Sequence, residues 1–324
     1  MRCLVAGAAG MIGSHLTERL LAQGHEVVGL DNFLTGHPRH LASVMVHPGF
    51  ELVRADIAED LPAVGSIDAI YNLASPASPV DFPLMPIEIL RAGGEGSIRL
   101  LELAREHGAR YLLASTSEVY GEPTVHPQVE EYRGNVSCNG PRACYDEAKR
   151  YAEAAASSYE RHWGVEVRIA RIFNTYGPRL RPDDGRVVSN FCVQAMTGHP
   201  LTLHGDGSQT RSFCFVEDLV DGLESLMSSD VSGPVNLGDD HEIPIRRLAD
   251  EIAAIVGVEV QLGHRPLPDD DPSRRRPDLT RAEEQLGWRA RTPLALGLRR
   301  TVEWFEQLVR TGDVAVPQRI TAPG

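Results

Sequence analysis

The chain has 324 residues, 42% hydrophobic and 24% charged, the balance of a globular protein large enough to bury a sizeable core and to exceed one average domain. Its net charge of -13 argues against a nucleic-acid partner, because a phosphate backbone needs a broad basic face, although a few arginines can still hold a small anion. No segment approaches the ~20 apolar residues of a membrane span, and the chain opens on a strand-like run rather than a signal peptide, so a soluble, cytoplasmic protein is expected.

Residues 2–6 read as a short apolar strand and 11–23 as a helix with apolar spacing. A second strand covers 26–30, and further strands cover 51–53, 69–73 and 109–114, with a helix over about 86–107 before the last. A long helix spans 142–163 and a strand follows at 166–172. This alternation predicts an α/β fold, a Rossmann-type doubly wound parallel sheet with helices on both faces. After Phe173, Pro178, Pro182, Pro200, Gly205 and Gly207 break the chain into short pieces, which predicts an irregular ligand-binding lobe. Residues 213–227 return to strand-then-helix and rejoin the first domain, as does a strand at 235–237. Residues 240–310 read as mostly helical, around a loop at 265–277 rich in Pro, Asp and Arg. The expected division is a cofactor domain of 1–173 plus about 213–238, a smaller, mostly α substrate-binding lobe of 174–212 plus about 239–312, and a poorly ordered tail at 313–324.

The five cysteines (Cys3, Cys138, Cys144, Cys192 and Cys214) show no C-x-x-C pair and no metal-ligand spacing. They predict reduced thiols and no metal centre. Cys144 adjoins Tyr145, but neighbours on a helix point about 100° apart, so it reads as packing.

Gly7-Ala8-Ala9-Gly10-Met11-Ile12-Gly13 follows the first strand and opens the first helix. Glycines there permit a tight turn and let the backbone approach a pyrophosphate, which then meets the positive end of the helix. Asp31, at the end of the second strand, is placed to accept hydrogen bonds from ribose hydroxyls and to repel a 2′-phosphate. NAD is therefore expected rather than NADP. Asp56, in Ala55-Asp56-Ile57, reads either as an adenine contact or as the cap of a turn.

Of 32 basic residues one is a lysine. Lys149 lies four residues after Tyr145 in Ala143-Cys144-Tyr145-Asp146-Glu147-Ala148-Lys149-Arg150, and positions i and i+4 share a helix face. A free phenol, with a pKa near ~10, is too weak a base for neutral pH, and a neighbouring ammonium is expected to pull that value down. Y-x-x-x-K also arises by accident, in which case an arginine-biased composition simply left one lysine. Leu112-Leu113-Ala114-Ser115-Thr116-Ser117-Glu118-Val119-Tyr120-Gly121 ends a strand in polar residues. Ligands of open parallel sheets bind beyond the carboxyl ends of the strands, which positions Thr116 to bond a substrate hydroxyl near Tyr145. The same run can equally form a helix-capping turn.

Together these segments resemble the extended short-chain dehydrogenase/reductases, specifically the UDP-glucuronate decarboxylase (UDP-xylose synthase) family, over nearly the whole chain. The match continues through Leu73-Ala74-Ser75-Pro76-Ala77-Ser78-Pro79, Ala170-Arg171-Ile172-Phe173-Asn174-Thr175-Tyr176-Gly177-Pro178-Arg179 and Asp184-Gly185-Arg186-Val187-Val188-Ser189-Asn190-Phe191. Gln209-Thr210-Arg211-Ser212-Phe213 and Arg274-Arg275-Arg276-Pro277-Asp278 complete it. The resemblance implies that Tyr145 is the general base, that Lys149 lowers its pKa and binds the nicotinamide ribose, that Thr116 orients the reacting hydroxyl, and that Ser117 and Glu118 lie beside the sugar. It implies that Asn174, Asn190, Arg211 and Arg275 hold the UDP-sugar, with Arg186, His204 and Gln209 as further carry-overs and Arg275 also catalytic. NAD would lie along Gly7, Gly10, Met11, Ile12, Gly13, Asp31, Asn32, Asp56, Ile57, Leu73 and Ala74, besides Tyr145 and Lys149.

The activity so implied is oxidation of UDP-glucuronate at C4, loss of CO2 and re-reduction to UDP-xylose with NAD bound throughout. Related 4,6-dehydratases place two adjacent acids after the Thr, whereas Ser117-Glu118 supplies one, which disfavours a dehydratase. A UDP-glucuronate 4-epimerase, which shares the oxidation and avoids CO2 loss, is the nearest rival. A non-catalytic dinucleotide sensor is a remoter one, since Tyr145, Lys149 and Thr116 are all present. The resemblance also implies a homodimer paired through the helices near 86–107 and 142–163. One departure stands out. Relatives have Asn in an N-x-x-G-T segment where this chain has Gly93-Gly94-Glu95-Gly96-Ser97, and three glycines at up to ~1 kcal/mol each predict a weakened or kinked helix near the cofactor.

Overall fold

The computed structural model of the chain describes residues 1–266 and 274–314. β1 (Arg2–Ala6) enters α1 (Met11–Ala22), and β2 (Glu26–Asp31), β3 (Phe50–Arg54) and β4 (Ala69–Asn72) follow. Next, α2 (Pro86–Arg91) runs through a π-helical turn (Ala92–Gly96) into α3 (Ser97–His107), which returns to β5 (Arg110–Thr116). A 3₁₀ turn (Ser117–Tyr120), α4 (Ala143–Trp163) and β6 (Val167–Ile172) complete the alternating half. Beyond it lie β7 (Thr175–Tyr176), α5 (Val187–Thr197), β8 (Leu201–His204), β9 (Thr210–Ser212), β10 (Cys214–Phe215), α6 (Val216–Ser228) and β11 (Pro234–Leu237). β12 (Glu242–Pro244), α7 (Ile245–Val256), β13 (Leu262–Arg265), β14 (Arg274–Arg275), α8 (Thr280–Leu286) and α9 (Leu294–Arg310) finish the described chain.

Among the described residues, seven strands form one sheet in the order β11-β6-β5-β4-β1-β2-β3, every pair parallel. The strands are apolar on both sides because helices cover both sides. On one face Leu16 and Leu20 of α1 and Leu219 and Leu223 of α6 pack over Cys3, Val5 and Val235. On the other, Leu100 and Leu101 of α3 and Ala152 and Ala156 of α4 cover Leu4, Ile70, Leu113 and Ile169. A further core, with Phe191, Leu248, Ile252, Val302 and Phe305, lies beyond the sheet. The sheet order reverses at β1, which has β2 on one side and β4 on the other, so a crevice opens above their carboxyl ends. The predicted Rossmann-type sheet is present, with boundaries shifted by one or two residues.

Three expectations change. Residues 174–212 are less irregular than predicted, since α5 lies among them; Val188, Phe191, Cys192 and Ala195 are all buried, and a helix wrapped by its surroundings shows no amphipathic stripe. Residues 240–310 hold short strands as well as helices: β12 and β14 pair with β9, and β13 pairs with β8. The strand predicted just after 213 is β10, which pairs with β7 outside the main sheet, whereas β11 does join it beside β6. The predicted loop at 265–277 is described only at its ends. Of the predicted tail, residues 315–324 lie outside the described residues, while Asp313 pairs with Arg39 at 2.6 Å and Val314 is buried.

The glycine-rich departure has a steric explanation. A Cβ at Gly93 would sit 2.6 Å from the Ala148 Cβ and 3.0 Å from its carbonyl oxygen, and one at Gly96 would sit 2.5 Å from the Ile57 Cδ1. The π-helical turn therefore lets α4 approach closely at the residue preceding Lys149. A Cβ at Gly94 would meet the Tyr151 ring at an ordinary van der Waals distance of 3.9 Å. The helix leaves α geometry at these glycines as a π-helical turn, and two of the three glycines are required by packing.

Candidate active site

A cavity of about 440 Å³ opens at the crevice above β1 and β4. Its floor is the loop from Gly7 to Gly13. Gly7 takes a left-handed φ of +81°, and a Cβ there would fall 2.9 Å from the backbone of Leu73 and Ala74, while one at Gly13 would fall 2.1 Å from the Gly7 oxygen. Only glycine fits either position. The N-terminus of α1 has no side-chain cap, so its first amides are open to an anion. Gly7, Gly10, Met11, Ile12, Gly13 and Leu73 line the cavity.

Asp31, Asn32, Asp56, Ile57 and Ala74 do not line it. The Asp31 carboxylate accepts from the amides of Ala9 at 2.8 Å and Phe33 at 2.7 Å, which fixes the glycine loop to the end of β2 and leaves each oxygen a free lone pair. Asp56 caps a turn by accepting from the Ala58 amide at 2.8 Å, and it also accepts from the Asn32 side chain at 2.9 Å.

At the chemical end Thr116, Ser117, Glu118, Tyr145, Lys149 and Arg275 all face the cavity. Thr116 satisfies both of its sequence interpretations. Its hydroxyl accepts from the Glu118 amide at 3.2 Å, capping the 3₁₀ turn, and it faces the same cavity as the Tyr145 phenol. Phe82 stacks on the Tyr145 ring at 5.0 Å.

The expected depression of the Tyr145 pKa is not found. Burial pushes the phenol up to about 12, opposed by the nearby Thr116 hydroxyl and the charge of Arg186. The Lys149 Nζ lies 5.9 Å from the Tyr145 ring centre and donates to the Ala114 carbonyl at 2.8 Å. Burial pulls Lys149 itself down to about 8, opposed by Glu153. Both groups are withdrawn from water, which disfavours phenolate and ammonium alike.

Glu118 is held from two directions, by Arg142 at 2.8 Å and by Arg275, which β14 carries in from 157 residues away. Burial would raise the carboxyl, but the two arginines outweigh it and hold it at about 2. Asp146 follows Tyr145 around the helix and is buried with one oxygen unpartnered among the described residues. Burial and the charge of Glu118 raise it to about 7 against the pull of Arg142 and Arg275.

Asn174, Arg186, Asn190, His204, Gln209 and Arg211 line the opposite wall. The Asn190 amide donates to the Gly185 carbonyl at 2.9 Å, Gln209 to the His204 carbonyl at 2.8 Å, and Arg211 to the Thr210 carbonyl at 2.9 Å. Arg186 donates to the Ala77 carbonyl and pairs with Asp184 at 3.3 Å. Sequence reasoning missed Thr35, Phe82, Arg142, Arg179 and Arg181, all on the wall. Arg142, one turn before Tyr145, carried a spacing signal; Phe82, in a loop, carried none.

The family model described as NAD dependent epimerase/dehydratase family matches residues 3–238. The chain belongs to that family. Its cofactor is NAD, and the residues present fit one: a glycine cradle that a Cβ would fill, uncapped helix amides and an acid closing β2. UDP-glucuronic acid decarboxylase 1 of Danio rerio is 50% identical over 306 residues, 94% of this chain and 73% of the relative. The protein of the same name from Arabidopsis thaliana is 48% identical over 313 residues, 97% of this chain and 72% of that one. Among solved structures, UDP-glucuronic acid 4-epimerase from Bacillus cereus, in complex with UDP-glucuronic acid and NAD, superposes with a TM-score of 0.86 at 26% identity, covering 95% of this chain and all of that one. UDP-glucose 4-epimerase from Thermotoga maritima with UDP-glucose gives 0.87 at 26% identity over 95% of this chain and 100% of that one. In this family member no described helix is long and apolar enough to cross a membrane.

Proposed function

We propose that this enzyme is a UDP-glucuronate decarboxylase that forms UDP-xylose and CO2. The observation that carries the proposal is the single acid Glu118, clamped between Arg142 and Arg275 beside Thr116 and Tyr145, in a chain half identical to named decarboxylases. NAD supplies the oxidation at C4 of the sugar and the later reduction. Thr116 and Tyr145 face the same cavity, so a C4 hydroxyl set between them can pass its proton to the Tyr145 phenolate oxygen. Lys149 and Arg186 supply the positive charge that offsets burial of the phenolate.

The oxidised sugar carries its C6 carboxylate β to the new C4 ketone, so departure of CO2 leaves an enolate whose charge the C4 oxygen absorbs. Hydroxyl donors on Thr116 and Tyr145 stabilise that oxygen, and protonation at C5 restores the ring. Glu118 engages Arg142 and Arg275 together, which offsets positive charge that would otherwise anchor the departing carboxylate. In this proposal Asn174, Asn190, Arg211 and Arg275, with Arg186, His204 and Gln209, hold the nucleotide sugar. Residues 1–173 plus about 213–238 form the cofactor lobe, and 174–212 plus about 239–312 the substrate lobe.

A homodimer through α2, α3 and α4 belongs to the same proposal. Ile87, Leu90 and Tyr151, 61%, 43% and 51% exposed, supply apolar surface on those helices. All five cysteines are free, which suits a cytoplasmic location.

The test is incubation of purified protein with UDP-glucuronate, followed by separation of the nucleotide sugars. UDP-xylose with one CO2 is expected, and none from Tyr145→Phe. UDP-galacturonate without CO2 would overturn the proposal in favour of the 4-epimerase.

A further inference from the structure

Of the arginines on the cavity wall, Arg179 has a buried nitrogen, Nη1, with no partner among the described residues. Its other terminal nitrogen, Nη2, is held by Glu18 of α1 at 2.6 Å. The surroundings locate this guanidinium. One turn before Glu18 on α1, the His15 Nδ1 meets the Met11 carbonyl at 2.8 Å, and the His40 Nδ1 meets the Ala9 carbonyl at 2.8 Å. Burial lowers the pKa of both histidines, and the charge of Arg179 adds to it. Arg179 thus lies beside α1, and it lines the same cavity as the glycine loop, whose helix amides have no side-chain cap.

A buried cationic donor without an acceptor is costly, and so is suited to meet an anion that arrives with a ligand. Histidines held neutral add no competing charge. The dinucleotide pyrophosphate is the anion that a glycine loop at a helix N-terminus receives.

We infer that Arg179 is a cofactor-binding residue whose Nη1 donates to the dinucleotide pyrophosphate from the side opposite the α1 amides, with Glu18 fixing the guanidinium. The inference rests on the glycine loop being the dinucleotide site. Arg179 enters from the segment between β7 and α5, and Glu18 from α1, so the bound pyrophosphate joins two walls of the cavity that this ion pair already links.

The test uses the full chain freed of nucleotide, as wild type, Arg179→Gln and Arg179→Lys, titrated separately with NADH, ADP-ribose and UDP, with thermal midpoints recorded for each unliganded protein. Loss of one charge-assisted hydrogen bond is expected to weaken NADH and ADP-ribose alike by about tenfold to a hundredfold in Arg179→Gln. UDP should bind within about twofold of wild type, and Arg179→Lys should recover part of the loss. Unchanged NADH binding overturns the inference. So does a loss seen with NADH but not ADP-ribose, which puts the contact on the nicotinamide side. A UDP loss as large as that of NADH also overturns it, assigning Arg179 to the substrate diphosphate or to the fold. If wild type binds neither NADH nor ADP-ribose, the dinucleotide site itself is what fails.

Discussion

Replacing Glu118 by Gln removes the charge on which Arg142 and Arg275 converge. In the folded chain this carboxyl lies at about 2, against 4.5 for a free glutamate; burial pushes it up and the two arginines more than reverse that. The difference corresponds to about 3 kcal/mol favouring the folded state with the carboxylate ionised. Because the folded value is the depressed one, this stability is complete above about pH 4.5 and is lost as the pH falls through about 2. The substitution also leaves Arg275, 4% exposed, without its counter-charge, which adds to the deficit. Glu118→Gln is therefore expected to lose about 3–5 kcal/mol at pH 7 in urea unfolding of the nucleotide-free protein. The gap should narrow between about pH 4 and pH 2 as the wild type gives up the same carboxylate. A variant within about 1 kcal/mol of wild type at pH 7, or a gap indifferent to acid, would refute the ion-pair reasoning.

Asp146→Asn should act in the opposite sense. The folded carboxyl lies at about 7 rather than 3.8, so its ionisation penalises the fold increasingly from about pH 4 and fully above about pH 7. Allowing for burial of the new amide, the variant should gain about 1–3 kcal/mol at pH 8 and almost nothing at pH 5 by thermal unfolding; equal midpoints at pH 8 count against it. Gly94→Ala should stabilise by up to about 1 kcal/mol through helix propensity. Gly93→Ala should instead cost about 1–3 kcal/mol through overpacking on Ala148 and lower kcat by displacing Tyr145 and Lys149. Similar midpoints for the two alanine variants would contradict the close approach of α4.

Much of this molecule could be read from the order of its residues, for identifiable reasons. Strands buried on both faces and helices with apolar stripes announce themselves by period, so β1 through β6 and α4 were legible. The glycine loop and the Tyr145–Lys149 spacing were legible because each packs its chemistry into a few consecutive residues. What escaped depends on distance along the chain. Phe82 reaches Tyr145 from a loop without periodicity, and α5 is enclosed by its neighbours. The partners of Glu118 sit 24 and 157 residues away, so the electrostatics of that acid could not be read locally. The Tyr145 pKa was misjudged for a related reason, since spacing reports proximity to an ammonium but says nothing of how far both groups are removed from water.

Lys149 is the chain's one lysine, and it is 6% exposed. The outer surface of the chain therefore offers no lysine side chain to acetylation, to ubiquitin-like conjugation or to amine-directed labels. Every exposed positive side chain other than histidine is a guanidinium, which keeps its charge into strong alkali. The surface of this enzyme is thus cationic where it is cationic regardless of acyl-transfer chemistry around it, and the amine on which turnover depends is kept out of reach of the same reactions.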